Sequence, residues 1–252
     1  MSIRITGTGS YIPELIQKNN DFQDREFYTI EGEAIDTPTD VVVEKFKAIT
    51  GISERRYANE NLTASDLGAF AAEKALFDAK IDPETLDYII CAHNFGDVKH
   101  SAIQSDILPC LAARIKHLLK IKSPKCVAYD ILFGCPGWLE GMIQGYGFIK
   151  AGMAEKCLVI GADTLSRVVD VNDRDSMIFA DGAGATIIEK SNEEGGVLSH
   201  STASYTDDEV FYLFYGKSYN PKAEQKTKYI KMRGRKVYEF ALINVPTAMK
   251  EC

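Results

Sequence analysis

Cys135 has the sequence context that most favours chemistry. It lies in residues 129–138, "YDILFGCPGW", where an apolar, strand-like run ends at Gly134 and a helical pattern follows Pro136. A thiol just ahead of a helix N-terminus faces unpaired backbone N–H groups and the positive end of the helix dipole, and both favour the nucleophilic thiolate. The sequence therefore predicts a nucleophilic cysteine at a strand-to-helix elbow.

Small residues around this thiol would let a substrate approach it. Gly134 and Gly137 remove side-chain bulk on either side, so a carbonyl group could reach the sulfur, and its oxyanion could accept the Cys135 N–H. The alternative is a packed cysteine beside a turn glycine. The remaining cysteines are interpreted mostly as small buried hydrophobic residues: Cys91, Cys110, Cys126, Cys157 and Cys252.

Glycines recur every four residues along the helix predicted over 136–151. Gly137, Gly141 and Gly145 share one face of that helix, and a glycine in a helix interior costs about 1 kcal/mol relative to alanine. A stripe of such residues indicates close approach of another part of the backbone. We therefore expect this helix to lie at the centre of the fold.

Predicted strands and helices alternate along most of the chain. Near-continuous apolar runs predict strands at 3–9, 87–93, 125–131, 156–163 and 184–190. Helical patterns occupy 40–50, 63–79, 105–121 and 136–151. Thr63 is the expected N-cap of the second helix, with Asp66 in its first turn. This order predicts an α/β fold with a mostly parallel mixed sheet covered by helices on both faces.

The pattern changes after residue 191. Residues 195–204 resemble a new strand, residues 205–227 are polar and irregular, and an amphipathic helix then continues to the last residue. A lone strand and helix cannot complete a second core. We therefore expect an N-terminal α/β half over 1–191 and an incomplete second half over 192–252.

The composition is that of a globular protein. The 252 residues are 45% hydrophobic and 26% charged, and the formal net charge of −7 argues against a general nucleic-acid surface. The N-terminus does not resemble a signal peptide, and no apolar run is long enough to span a membrane. We expect a cytoplasmic protein with free thiols, and no Cys/His cluster has the spacing of a metal site.

Five motifs occur in order along the chain. They are "ITGTGSYIPE" near the N-terminus, "ITGISERRYA" (49–58), "YDILFGCPGWLEGM" (129–142), "VIGADTLSR" (159–167) and "FADGAGATIIE" (179–189). Together they resemble the 3-oxoacyl-(acyl-carrier-protein) synthase III family of the thiolase superfamily, over the whole chain apart from 205–227. The resemblance implies a thiolase-like fold and no permanently bound cofactor. It also implies an acyltransferase that condenses an acyl-CoA starter with malonyl-acyl carrier protein through an acyl-cysteine.

The resemblance assigns roles to individual residues. Cys135 matches the nucleophile of the family, and Gly137 matches the small residue two places after it. Arg174 resembles an arginine that contacts the CoA nucleotide. A homodimer formed through the N-terminal half is also implied.

Basic residues cluster at the start of the last predicted helix. This basic group consists of Lys228, Lys231, Arg233, Arg235 and Lys236. We interpret it as a docking surface for an acidic acyl carrier protein, with a solvated helix face as the alternative. His93 ends a predicted strand at the edge where sites lie, and either a substrate-pocket role or a satisfied loop or interface histidine fits it.

One departure from the family concerns decarboxylation. The histidine that the family uses lies in an "HQAN"-like motif of the second half, and none of the four histidines of this sequence occupies such a motif. We therefore expect a fragment that lacks the catalytic His/Asn. Two alternatives stay open: a non-catalytic partner subunit of a condensing enzyme, and a hydroxymethylglutaryl-CoA synthase-like or secondary-metabolite condensing enzyme.

Overall fold

The computed structural model describes residues 2–252, and within them are nine strands and five α-helices. The strands are β1 (Ser2–Tyr11), β2 (Leu15–Lys18), β3 (Glu54–Tyr57), β4 (Tyr88–His93), β5 (Val127–Leu132), β6 (Lys156–Thr164), β7 (Asp181–Ser191), β8 (Leu213–Lys217) and β9 (Lys228–Met232). The helices are α1 (Thr39–Thr50), α2 (Ala64–Ala79), α3 (Leu111–Leu118), α4 (Gly137–Lys150) and α5 (Gly234–Glu251). Among these residues, none of the helices is both long and apolar enough to cross a bilayer.

The chain divides into two compact units. Unit 1 comprises residues 2–14, 58–164 and 181–198, and unit 2 comprises residues 15–57, 165–180 and 199–252. These units follow contacts within the chain. They do not test the predicted boundary between an N-terminal half, residues 1–191, and a second half, residues 192–252. That boundary stays a prediction.

Unit 1 is built on a five-stranded sheet with the strand order β1-β7-β6-β4-β5. β4 pairs in parallel with both β5 and β6, whereas β7 is antiparallel to β6 and to β1. Four of the five strands therefore run in one direction, and only β7 runs in the other. The predicted mostly parallel mixed sheet is confirmed.

Helices cover both faces of this sheet. Consecutive side chains of a strand point to opposite faces, and along β6 the side chains of Leu158 and Ile160 pack in the core formed with α2 and α3. Those of Cys157 and Val159 pack instead with Met142 of α4. The layered α/β architecture expected from the alternating elements is thereby confirmed, with α2 and α3 on one face and α4 on the other.

Local sequence signals set the start of α2. The Asp66 carboxylate accepts the N–H of Thr63 at 2.8 Å, and the two residues form a capping box. Such a box satisfies two of the backbone donors that a helix start leaves unpaired. The predicted N-cap at Thr63 is confirmed.

The helix predicted over 105–121 is shorter than expected, because α3 starts only at Leu111. The Asp130 carboxylate of β5 accepts the N–H groups of Leu111 and Ala112, each at 2.7 Å. This cap comes from a distant strand, so the sequence around residue 110 does not reveal it. Pro109 lies before the helix and not within its first turn.

The strand predicted over 195–204 is wrong, since no described residue of that range is in a strand. Gly195 and Gly196 adopt φ values of +99° and +98°, which are incompatible with an extended strand. Unit 2 instead contains two antiparallel strand pairs, β2 with β3 and β8 with β9. β8 lies in the range that was expected to be irregular, 205–227.

Unit 2 has its own hydrophobic core. Its buried members are Phe22, Phe27, Val42, Val43, Phe46 and Met177. The buried Arg55 guanidinium donates to the Asn19 side chain at 2.6 Å and to the Met177 carbonyl at 3.0 Å. A cation at this depth is tolerated because its N–H groups find acceptors.

Candidate active site

Cys135 lies between β5 and α4 and is exposed. Gly134 before it adopts φ +76°, a left-handed conformation that favours glycine. The Gly137 N–H donates to the Gly134 carbonyl at 3.0 Å and closes a turn around the cysteine. The chain therefore presents the thiol at a strand-to-helix elbow, which is the local geometry that the sequence predicts.

The glycine stripe brings α4 close to the sheet. A Cβ atom built on Gly137 would lie 2.9 Å from Cβ of Ala92, and one on Gly141 would lie 2.8 Å from Cγ1 of Val159. At Gly145 the nearest atom is Cδ1 of Ile188, also at 2.8 Å. The atoms nearest to the stripe are thus strand side chains and not another backbone. This close packing fixes the start of α4, and with it the elbow.

Polar side chains lie at the same edge of the sheet as the elbow. Asn94 follows the last residue of β4, and Asp163 is the penultimate residue of β6. The Asn94 backbone N–H donates to Oδ1 of Asp163 at 2.9 Å, and Nδ2 of Asn94 donates to Oδ2 at 2.7 Å. Burial raises the pKa of Asp163, while the bonds from Asn94 partly oppose that shift.

His93 is a satisfied, buried histidine. Its Nδ1 accepts the Gly96 N–H at 2.9 Å, so the proton is on Nε2, which donates to Oδ2 of Asp130 at 2.8 Å. Burial would raise the pKa of Asp130, but the hydrogen bonds from His93, Ala112 and Leu111 outweigh it and leave the pKa below its usual value. Of the roles that fit His93 from the sequence, these bonds favour the satisfied histidine, which is the last residue of β4 and does not lie in a loop.

The other thiols differ from Cys135 in their environment. Burial raises the pKa of Cys91 well above its usual value and that of Cys157 to about 12. It also raises the pKa of Cys110 and Cys126. Burial therefore disfavours the nucleophilic thiolate in these four cysteines. Cys252 is exposed, but it ends the chain outside any elbow.

Arg174 lies in unit 2, in a short 3₁₀ helix over Arg174–Ile178. Its side chain is exposed, and its Nε atom is 3.8 Å from Oδ1 of Asp175. At that separation the ion pair is weak, and the guanidinium can contact a ligand in solution. Cys135 and Gly137 lie in unit 1.

The basic group divides into a buried and an exposed part. Lys231 is fully buried and pairs with Asp170 and with Asp173, whose Oδ2 atom is 3.4 Å away. A buried ammonium group neutralised by two carboxylates cannot contact a second protein, so the docking role expected for Lys231 is corrected. Arg233, Arg235 and Lys236 are exposed, and these three residues retain that expectation.

Sequence reasoning missed Asn94 and Asp163. Each is a polar residue that directly follows, or nearly ends, an apolar strand-like run. Since parallel strands place their carboxyl ends at one edge of the sheet, this pattern was a usable signal. The missing information was that β4 and β6 are neighbours, which only the strand order reveals.

Comparison with known proteins identifies similar sequences and folds. A family model described as 3-oxoacyl-[acyl-carrier-protein (ACP)] synthase III matches residues 129–206. The chain is 34% identical to a beta-ketoacyl-[acyl-carrier-protein] synthase III of Vibrio vulnificus and 32% identical to one of Actinobacillus succinogenes. Each match covers the whole chain and 71% of the relative. The crystal structure of the Aquifex aeolicus 3-oxoacyl-[acyl-carrier-protein] synthase III aligns with a TM-score of 0.72 at 30% identity, over 95% of this chain and 67% of that one.

Proposed function

The chain belongs to the 3-oxoacyl-(acyl-carrier-protein) synthase III family, and from this premise we propose that Cys135 accepts an acyl group from an acyl-CoA. The observation that carries the proposal is the exposed thiol at the β5–α4 elbow. The other cysteines of unit 1 have thiol pKa values raised by burial. An acyltransferase of this type needs a nucleophile that a thioester can reach, and Cys135 meets that requirement.

The proposed step is a thioester exchange. The Cys135 thiolate attacks the carbonyl carbon of the acyl-CoA, and a new S–C bond forms as the carbonyl oxygen becomes an oxyanion. The oxyanion collapses, the bond to the CoA sulfur breaks, and CoA leaves as a thiolate that takes up a proton. The products are an acyl-cysteine and free CoA, and the step needs no permanently bound cofactor.

The elbow also supplies the proposed oxyanion donor. The Gly137 N–H is already bonded to the Gly134 carbonyl, so we assign the Cys135 N–H to the oxyanion. Gly137 contributes by its lack of a side chain next to the sulfur. Cys135 lies two residues before α4 and Gly137 is its first residue, so both are at the helix N-terminus, where the helix dipole favours negative charge.

The substrates and partners follow from the family. We propose that Arg174 contacts the nucleotide of CoA and that Arg233, Arg235 and Lys236 dock the acyl carrier protein that delivers the malonyl group. The support for these roles is that all four side chains are exposed and carry positive charge. We assign no residue of this chain to the decarboxylation of the malonyl group.

We also propose a homodimer formed through the N-terminal half, residues 1–191, and a cytoplasmic location. β5 is an edge strand of the sheet, and an edge strand leaves backbone donors and acceptors on one side that a second copy can pair with. Val127 and Leu132 at its two ends are exposed apolar residues, which favours burial against a partner.

Acylation of the purified chain tests the proposed nucleophile. Incubation with acetyl-CoA should add one acetyl group, detected by intact mass and located on Cys135 by peptide mapping. The variant Cys135→Ala should lose the modification. The matched control Cys252→Ala removes the other exposed thiol and should be acylated like the original chain.

Two results would contradict the proposal. Acetylation that persists in Cys135→Ala would place the nucleophile elsewhere. A folded chain that takes up no acetyl group would favour the non-catalytic partner subunit over the acyltransferase.

A further inference from the structure

His93 joins two segments of the chain through its two ring nitrogens. Nε2 donates to Oδ2 of Asp130 at 2.8 Å, and Nδ1 accepts the Gly96 N–H at 2.9 Å. His93 is 2% exposed, so its ring is shielded from bulk water. The two bonds can exist together only when the ring is neutral and carries its proton on Nε2.

A second proton on the ring removes one of these bonds. In an imidazolium both ring nitrogens are donors, so Nδ1 would present an N–H to the N–H of Gly96. Two donors cannot bond each other, and the buried Gly96 N–H then loses its acceptor. The bond from Nε2 to Asp130 becomes stronger, because it then joins two opposite charges. Protonation of His93 therefore breaks one contact of the ring and keeps the other.

Two carboxylates favour a positive charge on this ring. β5 contributes Asp130, which is bonded directly to Nε2, and β6 contributes Asp163, whose negative charge attracts a charge on His93. Burial alone would raise the pKa of Asp130, but the hydrogen bonds that it accepts hold the pKa below its usual value. Asp130 therefore stays ionised in mild acid, when a proton becomes available to His93.

The charged groups on the face of the sheet covered by α2 and α3 are paired with one another. α3 contributes Arg114, which donates to Asp97 at 2.9 Å and to Asp106 at 2.6 Å. Asp97 also accepts the N–H and the hydroxyl of Ser65 at the start of α2. Burial raises the pKa of the Cys110 thiol, so this group is neutral. The carboxylates of β5 and β6 therefore set the charge that acts on His93.

The Gly96 contact holds a loop at the carboxyl edge of the sheet. This loop, residues 94–97, directly follows β4, and its first residue, Asn94, donates to a carboxylate of β6. The backbone of Asp97 exchanges two hydrogen bonds with that of Asp106, at 3.1 Å and 2.8 Å. Loss of the Gly96 bond leaves these two ends attached, so the middle of the loop loosens while the sheet stays intact.

We propose that His93 is an acid-sensitive latch, which holds residues 94–97 when its ring is neutral and releases Gly96 when its ring is protonated. The proton comes from solvent and adds to Nδ1, the bond from the Gly96 N–H breaks, and the bond to Asp130 persists. The inference concerns the order of a loop, and it does not depend on the function proposed for Cys135.

Amide hydrogen exchange of the intact chain, measured by nuclear magnetic resonance, tests the latch. The protection factor of the Gly96 N–H, which corrects for the intrinsic effect of pH on exchange, should fall at least about tenfold between about pH 7.5 and pH 5. The N–H groups of Leu111 and Ala112 are internal controls, because both donate to the Asp130 carboxylate at 2.7 Å. Their protection should stay constant within about twofold.

The ring nitrogens of His93 give a second readout that needs no substitution. At neutral pH the ¹⁵N shift of Nδ1 should be that of an acceptor nitrogen and the shift of Nε2 that of a protonated one. As the pH falls, Nδ1 should become protonated with the same midpoint as the loss of protection at Gly96. A shared midpoint assigns the opening of the loop to this ring.

A variant without the titrating group separates the latch from other effects of acid. His93→Gln carries a carboxamide that does not titrate in this range, so the pH dependence of Gly96 exchange should disappear. The matched control His117→Gln removes an exposed imidazole of α3 and should keep the response of the original chain.

Three results would overturn the latch. The first is a Gly96 protection factor that does not change with pH, and the second is a joint loss of protection at Gly96 and Leu111, which indicates unfolding of the whole region. The third is a folded His93→Gln that keeps the response. If His93→Gln does not fold, the ring shifts decide, because an Nδ1 that stays unprotonated while Gly96 opens also overturns the latch. None of these measurements uses acyl-CoA, so a failure of Cys135 to be acetylated is a separate result.

Discussion

Nζ of Lys231 lies 3.4 Å from Oδ2 of Asp173, and both side chains are buried in unit 2. The same ammonium group contacts Asp170 and lies 3.4 Å from the centroid of the Tyr219 ring. Asp170 in turn accepts the hydroxyl of Ser218 at 2.9 Å. This cluster connects β9 with residues 165–180 and with the segment after β8, so its charges bear on the stability of unit 2.

Removal of the Lys231 ammonium group should strongly destabilise unit 2. In Lys231→Met the carboxylates of Asp170 and Asp173 stay buried without their cation, and breaking a buried ion pair in this way costs about 3–5 kcal/mol. Urea unfolding monitored by far-ultraviolet circular dichroism measures the change in unfolding free energy. The control Arg235→Ala removes an exposed helix pair with Glu239, and solvent screening leaves such a pair little effect on stability. Equal stability of the two variants would contradict the role of the cluster.

The Asp173 carboxyl should make stability depend on pH. Burial raises its pKa to about 6 in the folded chain, although Lys231 opposes the shift. The folded state therefore binds this proton more tightly than the unfolded state, where the pKa of an Asp is about 3.9. The contribution of Asp173 to the free energy of unfolding thus rises as the pH falls through about 6, by about 1 kcal/mol between about pH 7.5 and pH 5.

The variant Asp173→Asn checks this sign. The difference in unfolding free energy between the original chain and the variant should move in favour of the original chain as the pH falls from about 7.5 to 5. Urea unfolding at several pH values gives that difference. A difference that stays constant, or that moves in favour of the variant, would show that the pKa of Asp173 is not raised in the folded state.

A methyl group added at Gly141 should lower the stability of the chain, whereas one added at Gly147 should raise it. In Gly141→Ala the new Cβ would lie 2.8 Å from Cγ1 of Val159, and overpacking of this kind costs about 1–3 kcal/mol. Gly147 has no atom within 4 Å of such a Cβ, so Gly147→Ala should stabilise the helix by about 0.4–1 kcal/mol. Thermal unfolding measures both. If Gly141→Ala were as stable as Gly147→Ala, the stripe would not be needed for packing against the sheet.

Charge reversal should weaken carrier-protein binding if the exposed basic residues dock it. The double variant Arg235→Glu with Lys236→Glu inverts two exposed charges at the start of α5, and it should lower the affinity for acyl carrier protein by about tenfold or more at low salt. Calorimetric titration at low and high salt measures this effect. The control Lys125→Glu inverts an exposed charge in unit 1 and should leave the affinity within about twofold. Equal losses in both would indicate a general effect of net charge.

The sequence alone determined those features that depend on neighbouring residues. Thr63 and Asp66 are three positions apart and make their capping box within one turn, so α2 starts where the pattern predicts. The elbow around Cys135 is likewise local, because Gly134 and Gly137 close it with one hydrogen bond. Apolar runs predicted the strands of the sheet, since burial on both faces requires them.

The tertiary structure decided every feature that depends on residues distant in the chain. α3 starts late because Asp130 of β5 caps it, and Lys231 is buried because Asp170 and Asp173 neutralise it. The sequence of a charged stretch does not reveal whether a basic side chain is exposed to water or buried against a carboxylate. The Asn94–Asp163 pair spans 69 positions and exists only because β4 and β6 are neighbours in the sheet. Strand order is set by the packing of the whole sheet, and no local spacing in the sequence encodes it.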